Sequence, residues 1–173
     1  DIEYREAKWF ELYEMLINGE IDVLPDVGYS IKRDSIFTFN NLSVICSWLE
    51  CFHKKDVELN TILDIDGMRI GVLKGSLQED IIRNDVQRKF DLNIEVFTYD
   101  CYASTVKALR QDKIDVMLAS RFFYFSSECK NDIMPSGVIL NPNELYFAFP
   151  DNIDRKMASA FDRHISDLKN NPD

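Results

Sequence analysis

The sequence lacks the features that mark membrane-spanning, nucleic-acid-binding and zinc proteins. Its apolar runs are all shorter than the roughly 18–20 residues needed to cross a bilayer. Basic residues are few, with 20 Lys and Arg against 30 Asp and Glu, and the net charge of −10 argues against nucleic acid and anionic membrane surfaces as partners. Only His53 and His164 are available as imidazole ligands and no CxxC pair is present, so the sequence predicts no metal site.

Disulfides are also not indicated by the four cysteines, which are Cys46, Cys51, Cys101 and Cys129. Cys46 and Cys51 lie in a segment that reads as extended, which would separate their Cα atoms by roughly 16 Å at ~3.3 Å per residue. That distance is too long for a local disulfide. Four free thiols fit a reducing setting somewhat better than an oxidising one.

An internal repeat indicates the architecture. Residues 1–24 and 93–117 each read as strand, helix, tight turn and strand, and both end in an Ile-Asp-Val strand. The first helix carries an apolar stripe and is followed by Gly19 as its C′ residue, while Ser104 is the predicted N-cap of the second helix. Chance similarity between two α/β units is the alternative. The shared ending favours two related lobes.

The second copy is preceded by an additional β-α unit. A strand at residues 68–73, a turn at residues 74–76 and a helix from about Gln78 to Lys89 make this lobe β-α-β-α-β, with right-handed crossovers. The first lobe begins only at its second strand. If the lobes are equivalent, a β-α unit of perhaps 30 residues belongs in front of Asp1.

Two extended segments can connect these lobes. They lie near residues 46–54 and 136–144, within the longer stretches 36–53 and 137–149, and a final amphipathic helix starts at about Ile153. The predicted fold is α/β and two-lobed, with residues 1–50 and 138–173 in lobe I and 51–137 in lobe II. Ligands bind in the crevice of such folds, at the carboxyl ends of the parallel strands.

Several residues are predicted to line this cleft because they follow predicted strands. In lobe I, Arg33 could grip a carboxylate with support from Ser30 in the loop that also contains Asp26 and Gly28; a surface arginine paired with Asp26 or Asp34 is the alternative. The candidates in lobe II are Gly75, Ser76 and Ser120, and the candidate on the first connecting segment is Trp48. A simple N-cap role for Ser76 and a core role for Trp48 stay open, and Arg121 follows Ser120 towards the same cleft.

No catalytic residue is predicted. The sequence contains no G-x-S-x-G elbow, no Cys/His pair at a suggestive spacing and no H-E-x-x-H motif. Its carboxylates are distributed as solvated faces. The sequence therefore predicts a binding module without a cofactor.

Two stretches together carry a family resemblance. Asn18–Pro25, followed by Tyr29, Ser30, Arg33 and Phe37–Asn40, and then Asp66–Ser76, resemble the type 2 periplasmic-binding-protein fold, solute-binding family 3. The resemblance covers nearly the whole chain. Three further stretches are most similar to the extracytoplasmic sensor domains of bacterial histidine kinases: Ser47-Trp48, Leu118–Arg121 and Asn141–Ala148.

The resemblance implies that Arg33 and Ser30 hold a ligand carboxylate and that Ser76 reaches it from lobe II. In amino-acid-binding members an aspartate holds the ligand's α-ammonium group, and its position here is Ser120. A neutral serine cannot supply that charge in a water-poor cleft. A carboxylate or another small anion is therefore at least as well suited as an α-amino acid.

The resulting expectation is an extracytoplasmic ligand-sensing domain of an inner-membrane protein, attached through flanking segments outside this chain and able to act as a homodimer. Its partner would be a small carboxylate or other small anion, and lobe closure would carry the signal. Three alternatives stay open: the solute-binding subunit of an ABC transporter, a dehydratase-like enzyme on the same fold, and an interaction module without a ligand.

Overall fold

The computed structural model describes residues 2–171. The helices and strands are, in chain order, α1 Trp9–Ile17, β1 Leu24–Gly28, α2 Ile31–Asp34, β2 Phe37–Phe39, β3 Ile45–Lys54, β4 Arg69–Leu73, α3 Leu77–Asp80, α4 Gln87–Lys89, β5 Glu95–Tyr99, α5 Tyr102–Arg110, β6 Val116–Ser120, β7 Ile133–Pro150 and α6 Arg155–Asn170. A π-helical segment, Ile81–Val86, joins α3 to α4, and 3-10 turns lie at Ile62–Ile65 and Arg121–Phe125. No helix within the described part of the chain is long and apolar enough to span a membrane.

The chain divides into two compact units. The first holds residues 11–47 and 143–171 with the described residues up to Ala7, and the second holds residues 8–10 and 48–142. Strands β3 and β7 each have residues in both units. The connecting segments 46–54 and 136–144 stay a prediction.

The second unit is the β-α-β-α-β arrangement that the sequence predicts. Strand β4 pairs in parallel with β5 and with β6, and β6 pairs antiparallel with β3. Alternate residues of β6 contribute to two separate hydrophobic clusters, Val116 and Leu118 to one and Met117 and Ala119 to the other. The sheet is therefore covered on both faces, as parallel strands joined by helical crossovers require.

The first unit is built around the end of β7. Strand β1 pairs with it through Val27 and Tyr146, and β2 pairs with it through Phe37 and Pro150, both antiparallel. Helix α6 packs Phe161 against β7, with its ring centroid 4.7 Å from that of Phe147.

The predicted strand at residues 1–3 is wrong for the residues that the structure describes. Ile2 and Glu3 form no regular element, and Ile2 is 82% exposed. Asp1 lies outside the described residues. The period-2 pattern there is too short to specify a strand without a neighbouring strand to pair with.

The Ile-Asp-Val strands of the repeat are displaced towards the C-terminus. The first of them is predicted at residues 21–24, but β1 begins at Leu24 and continues through Pro25 to Gly28. Proline is tolerated there because β1 is at the edge of the sheet, and the register shifts between Leu24 and Val27, where Asp26 has a φ of 58°. The predicted loop from Pro25 to Gly28 is therefore strand.

The second copy shows the same displacement. Strand β5 starts at Glu95 rather than at Asn93, and β6 starts at Val116. The N-cap of α5 is Cys101, not Ser104, because Ser104 lies in the first turn and its hydroxyl accepts a hydrogen bond from the Cys101 N–H at 3.4 Å. In the first copy, the prediction of Gly19 after α1 is confirmed, since its φ is 69°.

The apolar stripe predicted on the last helix is only partly buried. Ile165 is 7% exposed, but Met157 is 41% and Leu168 is 73% exposed. All four cysteines are free thiols. Burial raises the pKa of the Cys51 thiol to about 12, so this cysteine stays protonated inside the second unit.

Candidate functional site

The first predicted site group lies at the end of β1 and in α2, within the first unit. Arg33 is only 5% exposed. Its Nη1 donates to the Gly28 carbonyl at 3.0 Å, and its guanidinium carbon lies 5.7 Å from the ring centroid of Tyr13. Burial against an aromatic ring and a backbone carbonyl fixes the orientation of this cation.

Ser30 belongs to the same group, but its hydroxyl has a local task. It is the N-cap of α2 and accepts a hydrogen bond from the Arg33 N–H at 3.2 Å. Gly28 is buried, whereas Asp26 is exposed. The predicted residues Asp26, Gly28, Ser30 and Arg33 therefore share one short segment, and Arg33 is the one whose charge is held inside it.

In the second unit, Gly75 and Ser76 form the turn between β4 and α3. Gly75 has a φ of 67°, a conformation that favours glycine, and its N–H donates to Glu79 at 3.0 Å. Ser76 is 3% exposed; its hydroxyl donates to the Leu73 carbonyl at 2.6 Å and accepts from the Glu79 N–H at 3.4 Å. The hydroxyl thus donates within the turn and accepts as the N-cap of α3, which is the predicted alternative to a ligand role.

Trp48 and Ser120 lie close together on neighbouring strands of the second unit. Leu49 of β3 is opposite Ser120 of β6, and Trp48 precedes Leu49. The Ser120 hydroxyl accepts a hydrogen bond from the Phe122 N–H at 3.4 Å. Trp48 of β3 therefore lies beside Ser120, the last residue of β6, and Gly75 and Ser76 follow the end of β4.

Arg121 follows Ser120 in the chain and is predicted to lie near the cleft, but it is not among the predicted ligand contacts. Its guanidinium carbon lies 4.3 Å from the centroid of the Trp48 ring and 4.6 Å from that of Phe122. The signal in the sequence was its position directly after Ser120. Nothing in the sequence shows that its neighbours are two aromatic rings.

The first unit has an open cavity of 280 Å³. Its lining includes Tyr29, the neighbour of Ser30, but none of the predicted site residues. The lining residues are Tyr29, Asp34, Phe39, Asn40, Asn41 and Tyr146. Partial burial and then a hydrogen bond to Asp34 raise the pKa of Tyr29.

Across the described residues, no group of three or more His, Cys, Asp or Glu side chains is placed to hold a metal ion.

Comparison with solved structures identifies the fold. No family model matches the chain. Holo ArgBP from T. maritima superimposes with a TM-score of 0.81 at 17% identity, over 98% of this chain and 74% of that chain. The amino acid ABC transporter substrate-binding protein AbpA from Streptococcus pneumoniae, bound to L-arginine, gives a TM-score of 0.82 at 16% identity, over 97% of this chain and 70% of that one.

A third similar structure is a histidine kinase sensor domain with similarity to periplasmic binding proteins, with a TM-score of 0.81 at 15% identity, covering 97% of this chain and 72% of that chain. These three structures are binding proteins and a sensor domain, not enzymes. The chain has the two-lobed α/β fold of type 2 periplasmic binding proteins, as the resemblance in the sequence predicts.

Proposed function

We propose that this chain is an extracytoplasmic sensing domain that binds a small carboxylate-bearing or otherwise anionic solute. The observation that carries the proposal is Arg33, a 5% exposed cation oriented by the Gly28 carbonyl and the Tyr13 ring at the end of β1. A guanidinium is the side chain best matched to a carboxylate, because its fork of N–H donors can bind both oxygens. The fold, which is shared with solute-binding proteins, supports the same conclusion.

The proposed ligand does not depend on an α-ammonium group. Ser120 stands where the resemblance places the ammonium-binding aspartate, and its hydroxyl is engaged by the Phe122 N–H. A neutral oxygen that already accepts a hydrogen bond offers little to a desolvated ammonium ion. We therefore expect carboxylates without an α-amino group to bind at least as well as amino acids.

The signalling step would be a change in the relation between two lobes. In such a fold, a ligand favours the closed state only by its difference in affinity for the closed and open states. The resemblance of one solved sensor domain to this chain supports a receptor role. The output domain and the membrane segments would lie outside this chain.

The second candidate is the solute-binding subunit of an ABC transporter. The similarity to AbpA, a substrate-binding protein of an amino acid ABC transporter, favours it. The flanking gene sequence separates the two candidates. Transmembrane segments on both sides indicate a receptor, whereas a lipoprotein signal without an output domain indicates a transporter component.

A thermal-shift screen with carboxylates, amino acids and other small anions tests the binding proposal. A ligand present at 100 times its Kd stabilises a protein by about 2.7 kcal/mol, which corresponds to roughly 5–10 °C in Tm for a chain of this size. We expect at least one carboxylate to produce such a shift.

Substitution of Arg33 assigns the site. Arg33→Gln should abolish the shift, because the neutral amide cannot replace the charged fork. Arg163→Gln is the matched control, since Arg163 is an exposed arginine of the same unit. Unchanged affinity in Arg33→Gln would show that the ligand is bound elsewhere, and the absence of any shift in the unsubstituted protein would refute direct sensing of these compounds.

A further inference from the structure

Three aromatic rings of the first unit meet at its cavity of 280 Å³. The ring centroids of Tyr29, Phe39 and Tyr146 lie 5.6, 6.2 and 6.3 Å apart, and each pair is in an edge-to-face contact. All three side chains line the cavity. Tyr29 is 45% exposed, so solvent reaches the rings.

Both tyrosine hydroxyls of this cluster are held by carboxylates. The Tyr146 hydroxyl donates to Glu144 at 2.8 Å, and the Tyr29 hydroxyl donates to Asp34, which also lines the cavity. Among the described residues, no lysine or arginine forms an ion pair with either carboxylate. Lys169 lowers the pKa of Glu144 through its charge, but its ammonium donates to a backbone carbonyl. The surroundings of the cavity therefore carry two negative charges without a paired cation.

The remaining polar side chains of the lining, Asn40 and Asn41, use their amide hydrogens elsewhere. Nδ2 of Asn40 donates to the Leu42 carbonyl at 2.6 Å and to Asp162 at 3.0 Å. Nδ2 of Asn41 donates to Asp162 at 2.8 Å. Because the phenol hydroxyls also donate to carboxylates, the cavity presents oxygen atoms and ring surfaces to a ligand rather than N–H or O–H donors. Such a lining disfavours an anion and favours a cation.

Packing alone accounts for only part of this arrangement. Edge-to-face ring pairs are favourable in themselves, so the contacts among the three rings need no ligand. A cluster that serves packing is stabilised most when its rings are fully buried, whereas the exposed Tyr29 ring borders an open cavity. Two carboxylates on the phenol hydroxyls add negative charge that packing does not use. A cation in the cavity would be attracted by both the rings and this charge.

A quaternary ammonium ion suits the lining better than a primary one. A cation is attracted to an aromatic ring within about 6 Å of its centroid, and the spacing of these centroids lets one cation reach all three. A primary ammonium also needs acceptors for three N–H groups, whereas both oxygens of Glu144 already accept, from Ser43 and Tyr146. The volume of 280 Å³ is near the lower end of the roughly 300–1,000 Å³ of small-molecule sites, so it suits a small cation.

We infer that the cavity formed by Tyr29, Phe39 and Tyr146, with Asp34 in its lining, is a binding site for a small quaternary ammonium ion. The site is separate from the proposed carboxylate site, because Arg33 is not among the residues that line the cavity. The inference therefore goes beyond the proposed function and does not rest on it. All of its residues belong to the first unit.

NMR titration of the whole chain with choline, ethanolamine and 3,3-dimethyl-1-butanol tests this inference. Ethanolamine lacks the methyl groups of choline, and the neutral alcohol has a carbon atom in place of the ammonium nitrogen. At constant ionic strength, we expect choline to bind saturably and about 5- to 10-fold more tightly than either analogue. The backbone amide signals of Tyr29, Asn41 and Tyr146 should move, and the ring currents should shift the choline methyl protons upfield.

Three substitutions separate the contribution of the ring from that of the charge. Tyr29→Leu removes a ring and should weaken choline binding about 5- to 10-fold, whereas Tyr29→Phe keeps the ring and should weaken it less than about 3-fold. Asp34→Asn removes a charge and should weaken binding about 3- to 10-fold. Tyr4→Leu and Asp22→Asn are the matched controls, because both replace exposed residues of the same unit, and they should leave choline binding unchanged.

Equal or tighter binding of the neutral alcohol would show that the rings are only an apolar surface, and equal or tighter binding of ethanolamine would exclude selection for a quaternary ion. Unchanged choline affinity in a folded Tyr29→Leu variant would place choline elsewhere. Each of these results overturns the inference. If Tyr29→Leu does not fold, Tyr29→Phe, Asp34→Asn and the comparison of the three probes decide. The absence of any saturable shift with choline also overturns the inference, but it leaves the proposed carboxylate site intact, because the carboxylate screen tests that site independently.

Discussion

At the scale of single residues, Arg33 and Arg121 are held by different contacts, each within its own unit. Arg33 is held by a carbonyl of its own segment, whereas Arg121 is held by aromatic rings with its Nε unpaired by any described residue. The sequence identifies Arg33 through its spacing from the first Ile-Asp-Val strand. It could not identify the environment of Arg121, because Trp48 lies more than 70 residues away in the chain.

Gly71 is required by close packing in the centre of β4. A methyl group at this position would lie 2.3 Å from Ile114 Cδ1 and 2.9 Å from Thr105 Cγ2, and both neighbours are buried. We expect Gly71→Ala to destabilise the protein by about 1–3 kcal/mol through overpacking. Urea denaturation measures this change.

The control for this substitution is relief of the nearer contact. Ile114→Val removes the Cδ1 atom and by itself costs about 0.5–1.5 kcal/mol. The double variant should lose less stability than the sum of the losses in the two single variants. Strict additivity, or a Gly71→Ala variant as stable as the unsubstituted protein, would contradict the packing described for β4.

The two aspartates of the repeated Ile-Asp-Val pattern have different roles. Asp115 accepts from Arg69 Nε at 3.0 Å, from Arg69 Nη2 at 2.6 Å and from the Arg69 backbone N–H at 2.8 Å. The side-chain hydrogen bond to Arg69 is the main cause that lowers the pKa of Asp115. Asp22, its counterpart in the first copy, is exposed.

Asp115→Asn should therefore destabilise the protein by about 1–2 kcal/mol at pH 7, allowing for partial exposure of the pair. Because the folded pKa is lowered, this contribution is complete above about pH 5 and is lost as the pH falls through the usual Asp range and then through the folded pKa. Denaturation at pH 7 and pH 3 should show the difference shrinking in acid. Asp22→Asn should change stability by less than about 0.5 kcal/mol at either pH; an equal effect of both substitutions would refute the distinction.

At the scale of helices and strands, the sequence predicts the order of elements better than their limits. The β-α-β-α-β order of the second unit is confirmed, but β1, β5 and β6 all start later than the hydrophobic pattern suggests. In the first copy this follows from an edge strand with a register shift, which accommodates Pro25 and Asp26. Strand pairing of this kind depends on β7, more than 100 residues away, and is not readable from local pattern.

Helix α6 is tied to the segment after β2 by one carboxylate. Asp162 accepts hydrogen bonds from the backbone N–H groups of Asn41 and Leu42, each at 2.8 Å, and from Nδ2 of Asn40 at 3.0 Å. Burial acts to raise the pKa of Asp162, but these hydrogen bonds outweigh it and the pKa is lowered.

We expect Asp162→Asn to cost about 1–3 kcal/mol, since an amide cannot accept from all of these donors. Hydrogen–deuterium exchange should show faster exchange of the Asn41 and Leu42 amides. Asp167→Asn, an exposed position on the same helix, is the control and should leave both amides protected. Unchanged protection in Asp162→Asn would mean that this carboxylate does not hold the segment.

At the scale of the whole molecule, the repeat and the two motif stretches were sufficient to predict a two-lobed α/β fold, which the similarity to solved binding proteins confirms. They were not sufficient to assign the predicted site residues. Ser30, Ser76 and Ser120 all use their hydroxyl groups to cap local turns or helices. Strand-end serines are favoured for both purposes, so sequence alone does not distinguish a cap from a ligand contact.

The most direct test of the proposed carboxylate binding is the indole N–H signal of Trp48, a predicted ligand contact, in a proton–nitrogen correlation spectrum. The chain has two tryptophans, Trp9 and Trp48, so two indole signals are expected, and Trp9→Phe assigns them. Addition of succinate or glutarate should move the Trp48 signal downfield as its N–H gains an acceptor, and leave the Trp9 signal in place. A Trp48 signal that stays unchanged at saturating concentrations of these compounds would contradict the proposed site.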